Sequence, residues 1–183
     1  MFKNLAPIFC ILFLGTFPAE SFAQNFPPMD ASPMDIAMAK PSENKPPVAR
    51  VIYSRPQKKG RKIFGDLVPY GKIWRTGANE ATELRLYKSM MLGNTCLDEG
   101  TYTLYTIPDK NSWTVIINKD INVWGAFSYK KEKDIARITV PAQETAAPVE
   151  ALSMIFRTDK NGVTLLIGWD SVFIEIPFEY EKK

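Results

Sequence analysis

Histidine is absent from all 183 residues, and cysteine occurs only at Cys10 and Cys96. Without histidine there is no Ser-His-Asp or Cys-His nucleophile system, no imidazole general base and no histidine-built zinc or copper site. Gly-x-Ser-x-Gly, the turn that presents a serine nucleophile in many hydrolases, is missing as well. Any catalysis has to run on carboxylates, lysine, tyrosine or a lone thiol. The chain carries no metal-ligand cluster and no cofactor motif, so neither a metal nor a cofactor is expected. A strong excess of charge is lacking too. The net charge is +3, which speaks to solubility, and in an exported protein it argues against nucleic acid as a partner.

No apolar run is long enough to cross a membrane. The longest, Leu5 to Phe17, falls short of the roughly 20 residues a spanning helix needs and has Pro7 and Pro18 near its ends. It follows Lys3 and precedes Ser21-Phe22-Ala23, the layout of a secretory signal peptide cut after Ala23. Ile8-Phe9 ahead of Cys10 lack the small residues that lipid attachment would require. The expectation is a periplasmic or secreted protein with residues 1–23 removed. Cleavage takes Lys3 and Glu20 together, leaving the charge unchanged, and takes Cys10, leaving Cys96 with no intrachain partner. Stability must then rest on a hydrophobic core, for which about 160 residues suffice in one domain. Cys96, between Thr95 and Leu97 in a strand-like run, is expected to be buried and inert.

Residues 24–47 are rich in proline and methionine, with Pro-Met-Asp at 28–30 and again at 33–35. Nothing there is periodic enough to build a core, so a flexible or surface-draped arm is expected. From Val48 to the end the pattern is that of strands separated by turn formers. Strands are expected over residues 49–53, 83–91, 95–97, 101–107, 112–118 and 135–140. Gly93-Asn94 marks a two-residue hairpin. The last third reads as a meander of strands 150–156, 163–169 and 172–178, with turns at 159–162 and at Asp170-Ser171. With no long amphipathic helix, this is an all-β chain: an antiparallel β-sandwich, jelly-roll-like, over residues 48–183. Leu104, Trp113, Val115, Ile117, Leu152, Met154, Leu165, Ile167 and Ile174 alternate onto inward faces and define the expected core, with Trp169 beside them.

The segment that departs from strand patterning runs from Tyr53 to Thr82. There Arg55, Arg61, Arg75, Asn79 and Glu80 are interleaved with Phe64, Tyr70 and Trp74 and with glycines at 60, 65, 71 and 77. Such a mix of charge, aromatics and turn formers reads as a shaped polar loop on a scaffold, where binding chemistry concentrates. The candidate ligand-binding residues are Tyr53, Arg55, Trp74, Arg75, Asn79, Glu80 and Trp124. A guanidinium offers a rigid fork of donors for a carboxylate or phosphate, an amide both donates and accepts toward hydroxyls, and flat rings suit sugars. Gly77 and Asn79 let the chain turn sharply between Arg75 and Glu80. Those two charges then either face a ligand together or pair with each other, or with another carboxylate, to hold the loop. Arg55, Lys58, Lys59, Arg61 and Lys62 form a basic cluster that reads either as a surface for an acidic partner or as a solvated hairpin tip. Trp124, before Gly125, either lines a cleft or caps the sandwich.

Several motifs carry a family likeness. Val51-Ile52-Tyr53-Ser54-Arg55-Pro56, Gly60-Arg61-Lys62-Ile63-Phe64-Gly65, the long run from Leu67 through Trp74-Arg75-Thr76-Gly77-Ala78-Asn79-Glu80 to Thr82, and later Tyr102-Thr103-Leu104-Tyr105 and Trp124-Gly125-Ala126-Phe127 resemble the bacterial family called domain of unknown function 2911. The resemblance runs from Ser32 to the last strand. It implies an exported, Bacteroidetes-type protein with a β-rich domain, and it brings no activity and no catalytic residues.

Two functions follow from the residues. One is a binding module of the cell envelope that takes a small polar or anionic molecule, a glycan or a protein partner through the Arg55 to Glu80 region. The alternative is a carbohydrate hydrolase or lyase with Glu80 as acid or base and a second carboxylate, such as Asp170, at a distance of roughly 5 to 9.5 Å.

Overall fold

Alternation of apolar and polar residues produces strands throughout. The computed structural model describes residues 24–181, so the expected signal peptide over residues 1–23 lies outside the described residues. Within them the strands are β1 (Met34–Ala39), β2 (Ala49–Ser54), β3 (Glu83–Leu86), β4 (Met90–Leu92), β5 (Thr95–Leu97), β6 (Gly100–Pro108), β7 (Ser112–Asn118), β8 (Asp134–Pro141), β9 (Gln143–Thr158) and β10 (Gly162–Tyr180). A 3-10 turn at Lys131–Lys133 leads into β8. No helix among the described residues is long and apolar enough to cross a membrane.

The strands form two antiparallel sheets, a six-stranded one in the order β1-β2-β3-β6-β7-β8 and a four-stranded one in the order β5-β4-β10-β9. Their inner faces share one core, built on Leu84, Leu104, Trp113, Val115 and Ile117 from the first sheet and Leu152, Met154, Leu165, Ile167 and Ile174 from the second. Every core residue expected from alternation is buried. A sandwich-like, all-β structure is the result.

Four features differ from the sequence expectation. Residues 24–47 are not wholly an arm: β1 pairs with β2 from Met34 opposite Ser54 to Ala39 opposite Ala49. Its period of two is inverted, with Met34, Ile36 and Met38 outward and Asp35, Ala37 and Ala39 inward. A search for large apolar residues on a buried face therefore passes over it. The run 83–91 is two strands rather than one, because the chain leaves the first sheet after Leu86 and enters the second at Met90. Asp170 does not turn the chain. It takes a left-handed conformation at φ 55°, and the register of β10 on β9 shifts on either side of it. Asp tolerates that conformation, and the result is a bulge that bends one long strand. Finally, Cys96 is exposed on β5, because its outward position in this short strand faces no covering layer.

The outer face of β6 and β7 is also covered. Tyr105 and Ile116 lie there with Ala81, roofed by Ile73, Val123, Ala126 and Tyr129. Those roofing residues come from the 73–81 and 123–129 loops, so this second small core fixes the loops that carry most of the candidate residues.

Candidate functional site

Trp74 fixes the first loop. Its backbone bridges Thr106 on β6, with N–H···O distances of 2.7 and 3.0 Å. Its ring enters the core, stacked on Trp169 at 6.0 Å and 19° and edge-on to Trp113 at 6.0 Å. The indole N–H donates to Gly77 O at 3.1 Å. Thr82 closes the loop from the other side, its backbone N–H donating to Arg75 O at 3.0 Å and its hydroxyl to Thr76 O at 2.7 Å. The buried Thr76 and Thr106 hydroxyls share a hydrogen bond at 3.0 Å. This frame holds Thr76 and Asn79 left-handed, at φ 57° and 56°. A β-branched residue in that region is strained, and the strain persists here because so many bonds over-determine the turn.

The turn sends Arg75 and Glu80 to different places. Arg75 lines a pocket of about 270 Å³ together with Arg61, Ser32, Trp74 and Trp169. Its Nε is buried and meets no hydrogen-bond partner. Among the described residues it forms no salt bridge. Burial pulls its pKa down from the ordinary arginine value, which is what desolvation without a compensating carboxylate does. Arg61 follows two left-handed residues, Lys59 and Gly60, and its guanidinium donates to the Lys58 and Gln57 carbonyls. Those acceptors are neutral, and Arg61, which is exposed, forms no salt bridge among the described residues. Among the described residues no Asp or Glu lines the pocket.

Glu80 lines a second pocket, of about 230 Å³, with Glu83, Tyr53, Ser54, Thr103 and Asn122. Glu80 is exposed, and Glu83 lies 4.0 Å from Arg50.

A family model described as a protein of unknown function, DUF2911, matches residues 32–178. The chain belongs to this family. No curated protein and no solved structure matches it. The match begins two residues before β1, so the edge strand lies within the DUF2911 domain.

Within this DUF2911 domain the sequence-derived candidates separate onto different surfaces. Arg75 and Trp74 share the first pocket, although the Trp74 ring is committed to the core and offers no open stacking face. Tyr53 and Glu80 border the second. The Tyr53 side chain points into the sandwich, its hydroxyl accepting from the Met154 N–H at 2.9 Å. Arg55 belongs to neither pocket. It donates to Asp35 at 2.9 Å, to Leu152 O at 3.0 Å and to the Ser153 hydroxyl at 2.8 Å, clamping β1 to β9. The Asn79 side chain donates to Asp30 at 3.2 Å, and its backbone carbonyl accepts from the Gly125 N–H at 3.0 Å. Trp124 is exposed with Phe127 on a shallow surface that adjoins the Glu80 pocket: the two share Asn122 and Val123, and the Trp124 backbone bridges that of Glu80.

Arg75 and Glu80 line different pockets, and among the described residues Arg75 forms no salt bridge with Glu80 or another carboxylate; Thr82, Gly77 and Trp74 hold the loop. Asp170, considered as the partner of Glu80, is held by Lys58 at 3.1 Å and does not line the Glu80 pocket. The basic cluster divides: Arg55 and Lys58 carry structural ion pairs, and Arg61 reaches the Arg75 pocket. That last role was missed because Arg61 is separated in sequence from Arg75, and only the left-handed turn at Lys59-Gly60 brings them to one cavity. The exposed Cys96 thiol sits above its ordinary value, by local desolvation and by the Glu181 and Asp98 carboxylates. It is therefore mostly protonated at neutral pH, which disfavours a nucleophilic role.

Proposed function

We propose that this domain is a binding module of the cell envelope, in an exported protein, and that it takes a small ligand through a carboxylate or phosphate group at Arg75 and Arg61. The observation that carries this reading is Arg75, which lines a pocket with no Asp or Glu among its described walls while its Nε is buried without a partner among the described residues. A guanidinium desolvated without a counter-charge costs free energy, and an oxyanion entering the pocket offsets that cost. Two guanidinium groups in one cavity favour an anion over a neutral sugar. The burial of Trp74 and Trp169 points the same way, because a neutral sugar would look for an open aromatic face. Acidic sugars such as uronic acids combine the charge with hydroxyls that Ser32 could meet.

Thermal-shift and calorimetric titration with galacturonate, inorganic phosphate and galactose test the reading. The two anions should raise the melting point and the neutral sugar should not. Arg75→Ala should abolish the shift. Anion binding that survives in Arg75→Ala, or stabilisation by galactose equal to that by galacturonate, overturns it.

A second reading, a carboxylate-dependent carbohydrate hydrolase, keeps one observation in its favour: Glu80 and Glu83 line the same pocket. Release of reducing ends from envelope polysaccharides, lost in Glu80→Gln and retained in Arg75→Ala, would select it over the binding module.

A further inference from the structure

The 119–130 segment, which joins β7 toward β8, has two apolar sides. Its inner side, Val123, Ala126 and Tyr129, covers Tyr105 and Ile116 on the first sheet. Its outer side covers nothing: Trp124 is 61% exposed, Phe127 89% and Ile121 49%. This is not a loose loop that happens to show its apolar residues. Gly125 N–H donates to Asn79 O at 3.0 Å and Ala81 N–H to Val123 O at 2.9 Å. Asn118 donates to Lys130 O at 3.1 Å, and the Tyr129 hydroxyl donates to Asp134 at 2.7 Å. Gly125 is left-handed at φ 67°, and a Cβ there would meet the Phe127 ring at 2.7 Å. The bonded backbone therefore presents three large apolar side chains to water on one surface, and such clusters mark interaction sites.

The charge around the cluster says what it meets. Lys119 and Lys130 line the same surface, and Lys131 and Lys133 follow in the 3-10 turn. None of these four lysines forms a salt bridge among the described residues. Of the nearby carboxylates, Asp134 is already engaged by Arg137 at 2.7 Å, leaving Asp120 and Glu132. The local balance is positive. We propose that this tip docks on an anionic lipid surface, with Ile121, Trp124 and Phe127 entering the headgroup region and the lysines against lipid phosphates. Trp at the interface, Phe and Ile beyond it and lysines that bury their stems while keeping their charge at the headgroups are the combination such surfaces recruit. A protein partner is less well served, since three side chains on one loop fall far short of the roughly 800 Å² per partner of a stable interface. This surface is separate from the Arg75 pocket, and the inference does not depend on that reading.

Trp124 supplies the probe, because Trp74, Trp113 and Trp169 are all buried. The domain should sediment with phosphatidylcholine vesicles containing phosphatidylglycerol and not with phosphatidylcholine alone. Brominated lipid should quench the exposed part of its tryptophan emission, and Trp124→Phe should remove that quenching while vesicle binding persists. Phe127→Ser should weaken vesicle binding by about tenfold or more, and Lys119→Gln with Lys130→Gln should weaken it further and flatten its salt dependence. All four substituted side chains are exposed, so unchanged melting points confirm that the variants are folded. Failure to bind anionic vesicles overturns the proposal, as does binding that ignores Phe127→Ser. A Phe127-dependent dimer in solution without vesicle binding also overturns it, in favour of a protein contact.

Discussion

The Met154 backbone N–H donates to the Tyr53 hydroxyl at 2.9 Å, tying β9 of one sheet to β2 of the other through the interior. The same hydroxyl lies 3.5 Å from Met154 O, its own acceptor. Tyr53 is 3% exposed, so water cannot replace either bond. Tyr53→Phe leaves a buried N–H without a partner and should destabilise by about 1 to 3 kcal/mol. Denaturant unfolding should show a lower midpoint at an unchanged slope. A wild-type midpoint would mean that the Met154 amide finds another acceptor.

Residues 24–39 should divide sharply in their contribution to stability. From 24 to 31 the side chains are exposed, and the Asp30–Asn79 hydrogen bond is a surface contact. Deleting residues 24–31 should shift the melting point by less than about 4 °C. Extending the deletion through Ala39 removes an edge strand and the Asp35 carboxylate that faces Arg55 at 2.9 Å. Arg55 is about a third exposed, so losing the ion pair alone costs little. Stripping the backbone partners of β2 costs far more, and the longer deletion should lower the melting point by more than about 8 °C. Equal effects from both deletions would show that β1 adds nothing to the sheet.

The difference between 24–31 and 34–39 also shows what the sequence can and cannot reveal. Period-two alternation located β6, β7 and the core side chains because their large apolar residues face inward. The same rule missed β1, where Ala37 and Ala39 point inward and Met34, Ile36 and Met38 point out. It read Asp170 as a turn because Asp favours turns and bulges alike, and only the pairing on both sides distinguishes them. The polar loop was recognisable from composition. Its division into an Arg75 pocket, a Glu80 pocket and an exposed Trp124 surface was not, since the turn uses a left-handed Thr76 next to Arg75 as well as the Asn79 whose turning the sequence suggests. Glycine or asparagine advertises such a conformation; threonine gives no sign of it.

Alkaline pH should destabilise the domain through its buried phenols. Burial raises the phenol pKa of Tyr53, Tyr102, Tyr105, Tyr129 and Tyr180 above the ordinary 10.0. Nearby carboxylates add to this, Asp35 at Tyr53 and Asp120 at Tyr105. Between the unfolded and folded values the native state holds more protons than the unfolded one, so stability falls as pH rises through that window. Below about pH 10 this contribution is complete. Melting points should be flat toward that pH and then drop, with the steepest loss coinciding with tyrosinate absorbance. Tyrosinate appearing at its ordinary pKa while the protein stays folded would contradict the burial of these phenols.

Arg75 should be dispensable for folding. Its Nε is buried without a partner, and desolvation lowers its pKa, so the charged form is worse off in the folded chain than in water. The turn beneath it is held by Thr82, Gly77 and Trp74, none of which uses the guanidinium. Arg75→Met keeps the stem and removes the uncompensated charge. It should leave the melting point within about 2 °C of wild type or raise it, while losing stabilisation by galacturonate and phosphate. Arg75→Lys should keep part of the anion response, because an ammonium retains the charge but not the planar fork. A loss of roughly 3 kcal/mol or more in Arg75→Met would place the guanidinium among the groups that hold the loop, and the anion pocket would then have to rest on Arg61 alone.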